Sequence, residues 1–210
     1  MPRGVSTAHT RPQLSAPRAS GYSRRMGSRL VALAAGLSLS SAAALAAAPL
    51  GPGDPAPLFT ATTHTGERFD LASRTGHWTV LFFFPKAGTS GCTAQANAFS
   101  DRVDAIRVEG AEVYGISADS VEAQAEFRRD EQLDFTLLAD PDGTVIEQYG
   151  AKMPLLTMSK RWTFIIDPEL TIRHVDRDVD PALDAQHVSA ELARLTAASA
   201  PAAPTPPAPR

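Results

Sequence analysis

The spacing of hydrophobic positions divides the middle of the chain into strands and helices. Continuous or alternating apolar runs predict β-strands at 59–62, 67–70, 79–84, 112–117, 135–138, 162–166 and 171–175. Apolar residues three and four positions apart predict helices at about 92–106, 120–131, 145–149 and 181–195. The first two strands flank His-Thr-Gly, so they are expected to form a small hairpin.

The order of these elements predicts the fold. The run 79–84 is uninterrupted and apolar, as is typical of a strand buried on both faces of a sheet. Strands and helices alternate after it, and a pair of strands and a closing helix end the pattern. We therefore expect an α/β domain with the thioredoxin-like fold, in which helices flank a mixed central sheet and an N-terminal β-hairpin is added.

The two ends of the chain differ in composition from this domain. Residues 1–46 contain six arginines and no acidic residue, and 30–46 is uncharged, rich in Leu and Ala, and ends in Ala-Leu-Ala. A basic start, an apolar middle and small final residues predict a secretory signal peptide. From residue 197 only Ala, Pro, Ser, Thr and a final Arg occur. We therefore predict an N-terminal extension and signal peptide at 1–46, the folded domain at 47–196, and a disordered Ala/Pro-rich tail at 197–210.

Removal of residues 1–46 makes the chain strongly acidic. Fourteen Lys and Arg then stand against 23 Asp and Glu, a formal net charge of about −9. Such a surface disfavours nucleic acid and anionic membranes as partners. An Ala-rich stretch is only marginally apolar enough to remain in a bilayer as an anchor. The sequence thus predicts an exported, periplasmic protein with no nucleic-acid partner and no stable membrane association.

Cys92 is the only cysteine of the chain. Structural cysteines of exported proteins normally occur in pairs, so a single one indicates a reactive thiol or an intermolecular partner. It lies four residues before Ala96, which places it in the first turn of a predicted helix and on its inward face. There the helix dipole and free N–H groups stabilise a thiolate, which is the reactive form of cysteine.

Two further residues are candidates for this site. Thr89 lies three residues before the cysteine, where its hydroxyl can point back at the sulfur or cap the helix. Arg161 opens an apolar strand, and such an arginine is either solvated or the buried partner of an anion.

Other kinds of site are less consistent with the sequence. A thiol–disulfide oxidoreductase needs Cys-x-x-Cys, but the first of those positions is Thr89. A copper carrier needs a second Cys or a Met–His cluster, and the histidines show no metal-ligand spacing, so we predict no metal and no cofactor. A cysteine hydrolase that uses one of the histidines and a non-catalytic binding or redox-sensing module remain open on these grounds.

The motif Pro85-x-x-x-Thr89-x-x-Cys92 resembles the active-site motif of the peroxiredoxins, the alkyl hydroperoxide reductase/thiol-specific antioxidant superfamily. The stretch 80–92 is most similar to the bacterioferritin comigratory protein subfamily. The resemblance covers about 51–195 and includes 53–59, 115–120, 138–143 and the arginine-bearing strand 161–167.

This resemblance implies a thiol-specific peroxidase that acts as an antioxidant in cell redox homeostasis. Cys92 would attack the terminal oxygen of hydrogen peroxide or an organic hydroperoxide and become a sulfenic acid. Thr89 and Arg161 would hold thiolate and peroxide together, and Pro85 would shield the sulfur and shape the loop.

Two positions depart from the subfamily pattern. A resolving cysteine is common five residues after the first, where this chain has Asn97, and a glutamate is usual three residues after it, where this chain has Gln95. Without a second thiol, the implied enzyme is of the one-cysteine type and is regenerated by an external thiol, such as a thioredoxin-like protein or a small thiol. The subfamily resemblance also implies a monomer.

Overall fold

The computed structural model describes residues 49–199, in which seven strands form one sheet. The predicted signal peptide and the chain from residue 200 onward lie outside the described residues. The strands are β1 (Thr60–Thr63), β2 (Arg68–Asp70), β3 (Trp78–Phe83), β4 (Ala111–Ser117), β5 (Thr136–Ala139), β6 (Trp162–Ile166) and β7 (Ile172–Asp176). The α-helices are α1 (Ser90–Ser100), α2 (Val103–Val108), α3 (Val121–Asp130), α4 (Thr144–Gln148) and α5 (Asp184–Ser199), and a 3-10 turn covers Leu71–Arg74.

The sheet is mixed, and its strand order is β2-β1-β5-β4-β3-β6-β7. β3, β4 and β5 are parallel, which requires the helical connections that the alternating pattern predicts. β6 pairs antiparallel with β3, and β7 with β6. The predicted hairpin is β1–β2, and it joins the same sheet through antiparallel pairing of β1 with β5. The α/β fold with a mixed sheet, flanking helices and an N-terminal hairpin is confirmed.

The core lies on both faces of this sheet. All six residues of β3 are buried, with Val80 and Phe82 in one apolar cluster and Leu81 and Phe83 in the other. The first cluster takes in buried side chains of α1, α2, α3 and α5, and the second those of α4 and of the segments around the hairpin. Because a strand alternates its side chains between faces, one apolar run supplies both clusters.

The helix predicted for 92–106 is divided into α1 and α2. The break falls at Asp101-Arg102, where the amide of Arg102 donates to the carbonyl of Phe99, three residues back, at 3.1 Å. Ser100 and Asp101 are weak helix formers, which explains why the helix tightens and restarts there although the apolar spacing continues across it.

The closing helix differs from its predicted bounds at both ends. It was expected to begin at Pro181, and α5 begins at Asp184. Asp180 nevertheless caps the preceding turn, because its carboxylate accepts from the Ala182 amide at 2.9 Å. At the other end α5 includes 197–199, which were assigned to the tail, since the two alanines there favour helix.

No helix within 49–199 has the length and apolar character needed to cross a membrane.

We predict that Gly115→Ala lowers the free energy of unfolding by roughly 1–3 kcal/mol. A Cβ at this position in β4 would lie 2.6 Å from Cζ of Phe82 and 2.8 Å from Cδ2 of Leu137, both in the core. Urea denaturation measures the change. Gly51→Ala is the control, because its Cβ would meet no atom closer than 3.9 Å. Equal stability of the two variants would contradict tight packing at β4.

Candidate active site

Helix α1 carries Cys92 in its first turn, on the inward face, as the sequence predicts. Thr89 precedes the helix in an extended conformation, and Cys92 is the third helical residue. The cysteine is 1% exposed and packs in the same apolar cluster as Ala96 and Phe99. The sulfur is therefore held by the core and is shielded from bulk water.

The loop between β3 and α1 is tied to two other loops. The Asp119 carboxylate, which follows β4, accepts from the Ala87 amide at 2.8 Å. The Ser159 hydroxyl, which precedes β6, donates to the carbonyl of Phe84 at 2.8 Å. Gly88 turns with φ of +72°, a conformation that glycine adopts without strain. Neither Asp119 nor Ser159 was predicted from the sequence, yet both set the path of the chain toward the cysteine.

Arg161 reaches the sulfur from the neighbouring strand. It directly precedes β6, and the antiparallel pairing of Trp162 with Phe83 brings it to the end of β3 where the loop begins. Its Nη2 donates to Sγ of Cys92 at 3.4 Å, and its Nη1 donates to Oε1 of Gln95 at 2.5 Å. Of the two alternatives for this arginine, the half-buried partner of the sulfur is the one that the structure shows.

Gly91 provides the space for this contact. A Cβ at position 91 would lie 3.3 Å from Nη2 of Arg161 and 3.9 Å from Cγ of Pro181. The first of these contacts is tighter than an ordinary van der Waals contact, so a side chain at position 91 would crowd the guanidinium. The glycine immediately before the cysteine thus leaves room for Arg161 beside the sulfur.

Thr89 and Pro85 lie in the loop that leads to the cysteine. The Thr89 hydroxyl donates to the carbonyl of Lys86 at 3.0 Å and makes no side-chain cap of α1. Since a hydroxyl has one proton, it does not donate to Cys92 in this arrangement, so the structure shows neither of the two contacts considered for it, the one to the sulfur and the helix cap. Pro85 lies two residues after the end of β3 and is half-buried.

Behind the arginine lies a buried polar chain that ends in a carboxylate. Nε2 of Gln95 donates to Oδ2 of Asp184 at 2.6 Å, and the Thr163 hydroxyl donates to the same oxygen at 2.8 Å. Gln95 and Asp184 are 0% and 1% exposed. Burial raises the pKa of Asp184 to about 6, although the hydrogen bonds from Gln95 and Thr163 act in the opposite direction.

Asp184 was missed at the sequence level, but the sequence contains a signal for it. Val188, Leu192 and Leu195 recur at helical spacing in the last helix, and the position four residues before Val188 is Asp184. An acidic residue on an apolar helical stripe indicates a buried carboxylate that needs hydrogen-bond donors. Its donors come from elements far away in the chain, so the sequence did not identify them.

Between residues 49 and 199, no three His, Cys, Asp or Glu side chains are grouped so that they could hold a metal ion.

Comparison with known proteins agrees with this geometry. The AhpC/TSA family matches residues 52–175. Peroxiredoxin Bcp of Escherichia coli is 39% identical over 136 residues, which cover 62% of this chain and 87% of the relative. The crystal structure of peroxidoxin BcpB from Mycobacterium tuberculosis superposes with a TM-score of 0.66 at 33% identity and covers 70% of this chain and 98% of that one.

A second solved structure comes from Xanthomonas campestris. It is the bacterioferritin comigratory protein, studied for alkyl peroxide reduction as a trapped intermediate and ligand complex. The similarity has a TM-score of 0.63 at 26% identity and covers 66% of this chain and 92% of that one.

We predict that Asp184 makes the domain less stable as the pH rises. The pKa of about 6 in the folded state exceeds the usual 3.8, so between these values the folded state keeps a proton that the unfolded state has lost. This contribution to stability is complete below about pH 4 and is lost as the pH rises through about 6. Relative to Asp184→Asn, the wild type should therefore lose about 3 kcal/mol between a pH well below 4 and a pH well above 6.

Urea denaturation of both proteins at a series of pH values measures this difference. Asp180→Asn is the control, because that carboxylate is exposed and Asn caps a helix as well as Asp does. Parallel stability curves for wild type and Asp184→Asn would show that the pKa of Asp184 is the same in the folded and unfolded states.

Proposed function

The chain belongs to the AhpC/TSA family and is a peroxiredoxin, and on that premise we propose that Cys92 is the thiol that reduces hydrogen peroxide and organic hydroperoxides. One observation carries this proposal: the guanidinium of Arg161 donates to the sulfur of the only cysteine. At 3.4 Å from the sulfur, the guanidinium is placed to bind a peroxide beside it and to stabilise the negative charge that moves onto oxygen during the attack.

The reaction transfers two electrons from sulfur to peroxide. The Cys92 thiolate attacks the terminal oxygen, an S–O bond forms and the O–O bond breaks. The bonding pair leaves with the second oxygen, which takes up a proton and departs as water or an alcohol. Cys92 remains as a sulfenic acid.

Arg161 serves the transition state as well as the thiolate. A guanidinium has five N–H donors, and two of them are used by Cys92 and Gln95. Donors that remain can bind the peroxide oxygens while the sulfur approaches. As the O–O bond breaks, negative charge moves onto the leaving oxygen, and the guanidinium stabilises it there.

We assign supporting roles to Thr89 and Pro85. With its proton donated to Lys86, the Thr89 hydroxyl has lone pairs that can accept from the O–H of the hydroperoxide. The exposed position of Thr89 at the start of α1 leaves this oxygen open to substrate. Pro85 restricts the loop and limits the access of water to the sulfur.

Regeneration needs a thiol from outside the chain, since the sequence contains one cysteine. A first external thiol condenses with the sulfenic acid to give a mixed disulfide and water. A second thiol attacks that disulfide and releases Cys92. We propose a thioredoxin-like protein or a small thiol as this reductant. With Cys92 only 1% exposed, the first turn of α1 has to open before a protein thiol can reach it.

We further propose that the protein works as an exported, periplasmic monomer. Export is supported by the composition of 1–46, and cell fractionation tests it. The monomer is supported by the fact that Arg161 and Gln95 belong to the same chain as Cys92, so the contact with the sulfur needs no second copy. Light scattering of the purified protein gives its mass in solution.

We predict that Cys92→Ser abolishes peroxide reduction and leaves the fold intact, because a serine hydroxyl is not ionised near neutral pH. Arg161→Met should slow the reaction with peroxide by roughly a hundredfold, since it removes the donor to the sulfur and to the leaving oxygen. Stopped-flow measurement of peroxide consumption checks both variants, with circular dichroism as the control for folding. Retained activity of Cys92→Ser would exclude a peroxidase that uses this thiol.

We also predict the fate of the sulfenic acid when thiol is scarce. Excess peroxide should add a second oxygen and produce a sulfinic acid at Cys92, with no intramolecular disulfide. Intact mass spectrometry detects this product, and Cys92→Ser is the control that gains no oxygen at this position. A wild-type protein that stays at the sulfenic stage would show that the sulfur is protected by some other means.

Asn97→Cys supplies a matched comparison. In the wild type, the Asn97 side chain donates to Glu131 at 3.2 Å. Residues five apart on an intact helix have Cα atoms separated by roughly 8–9 Å, which exceeds the roughly 7 Å that a disulfide tolerates. A disulfide between positions 92 and 97 should therefore form only if α1 partly unwinds. If the variant is overoxidised as fast as the wild type, α1 does not open on the timescale of the reaction.

A further inference from the structure

The reaction described above gives no role to the buried carboxylate of Asp184. Its Oδ2 accepts from Gln95 and from Thr163, and its Oδ1 is buried with no hydrogen-bond partner among residues 49–199. A buried and incompletely paired acid destabilises a fold, so its presence calls for a physical reason. The reason lies in what Gln95 does at its other end.

The chemistry of the two neighbours determines how the Gln95 amide is oriented. An ionised carboxylate only accepts hydrogen bonds and a guanidinium only donates them. An amide between them must therefore turn its NH₂ to Asp184 and its carbonyl to Arg161, which is the arrangement observed at 2.6 and 2.5 Å. The carbonyl holds Nη1 of Arg161, and this leaves Nη2 directed at Sγ of Cys92.

We propose that Asp184 is a positioning residue of the peroxidase: its buried carboxylate fixes the amide of Gln95, and Gln95 in turn holds Arg161 on the sulfur of Cys92. This inference rests on the proposed function, since the reaction that it serves is the attack of Cys92 on a hydroperoxide. Asp184 touches neither the sulfur nor the guanidinium and acts through the neutral amide.

The negative charge of Asp184 helps to hold Arg161, in addition to the hydrogen bond that orients the Gln95 amide. With a pKa of about 6 the group is ionised at neutral pH, and a hydrogen bond from Gln95 to an anion polarises the amide and strengthens its carbonyl as an acceptor for Arg161. Other charged groups act on the carboxylate. Asp176 of β7 disfavours its ionisation and His187 of α5 favours it.

A purely structural role makes a different prediction. If Asp184 only anchored α5 to Thr163 on β6, its replacement would change the stability of the fold but not the state of the sulfur. If Asp184 instead positions Arg161 through Gln95, its negative charge should work equally well at residue 95, where it would contact Arg161 directly. Exchanging the carboxylate of Asp184 with the amide of Gln95 therefore distinguishes the structural role from the positioning role.

The experiment compares Asp184→Asn, Gln95→Glu and the double variant Gln95→Glu/Asp184→Asn in the full chain. Asp180→Asn is the control, because it makes the same chemical change on an exposed residue that caps the turn before the same helix. For each protein we measure the second-order rate of reaction with hydrogen peroxide, the ultraviolet absorbance of the thiolate at fixed pH, and the unfolding midpoint.

We expect Asp184→Asn to react roughly tenfold more slowly and to hold less of Cys92 as thiolate, because a hydrogen bond to a charged group is weakened. Gln95→Glu should also be slow, since it sets two carboxylates at the 2.6 Å contact now made by an amide and a carboxylate. The double variant should recover to within about threefold of the wild type. Asp180→Asn should match the wild type in all three measurements.

Two results would overturn the inference. One is an Asp184→Asn protein with wild-type rate and thiolate absorbance, and the other is a double variant no faster than Asp184→Asn alone. If Asp184→Asn does not fold, Gln95→Met takes its place, because it removes the amide that links Asp184 to Arg161. This variant must lower the thiolate absorbance, and an unchanged absorbance overturns the inference equally. Absence of peroxide consumption by the wild type would refute the proposed function, while the thiolate absorbance still decides the role of Asp184.

Discussion

The hydrogen bond from a half-buried guanidinium to a buried sulfur is the interaction on which the rest of the site depends. A charge that leaves water needs a partner of opposite sign or well-placed hydrogen-bonding groups. Arg161 has such groups, because it donates to Cys92 at 3.4 Å and to the carbonyl of Gln95 at 2.5 Å. Gly91 leaves the space for the guanidinium, and Asp184 maintains the amide that receives it. Each of these features is explained by one requirement, which is to keep a positive charge against a reactive thiolate.

The fold meets this requirement by bringing three distant segments to one end of the central strands. β3 leads into the loop and α1, which carry Cys92 and Gln95. β6 pairs antiparallel with β3 and so delivers Arg161 to the same end. α5 packs against the same face of the sheet and presents Asp184. Since all three segments are anchored in the core, the separation between guanidinium and sulfur is maintained by packing as well as by their mutual attraction.

The burial of a single cysteine protects its sulfur from bulk reagents and also slows its reduction. Burial of Cys92 to 1% exposure keeps the sulfur from bulk reagents and makes the contact with Arg161 effective, because charges interact more strongly away from water. The same burial delays any external thiol, and the chain has no second cysteine that could capture the sulfenic acid first. The oxidised sulfur is thus exposed to a second peroxide for as long as the reductant takes to reach it.

The sequence by itself determined the strands, most helix positions, the α/β class and the place of Cys92 in the first turn of α1, because these follow from short-range periodicity. Its place before an apolar strand made Arg161 a candidate and the family resemblance implied its role, but only the tertiary structure showed its contact with the sulfur. The orientation of the Thr89 hydroxyl, the division of the 92–106 helix and the role of Asp184 also required the structure. Gln95 and Asp184 are 89 residues apart and meet in one hydrogen bond. Such a contact has no period along the chain and arises only when the core brings α1 and α5 together.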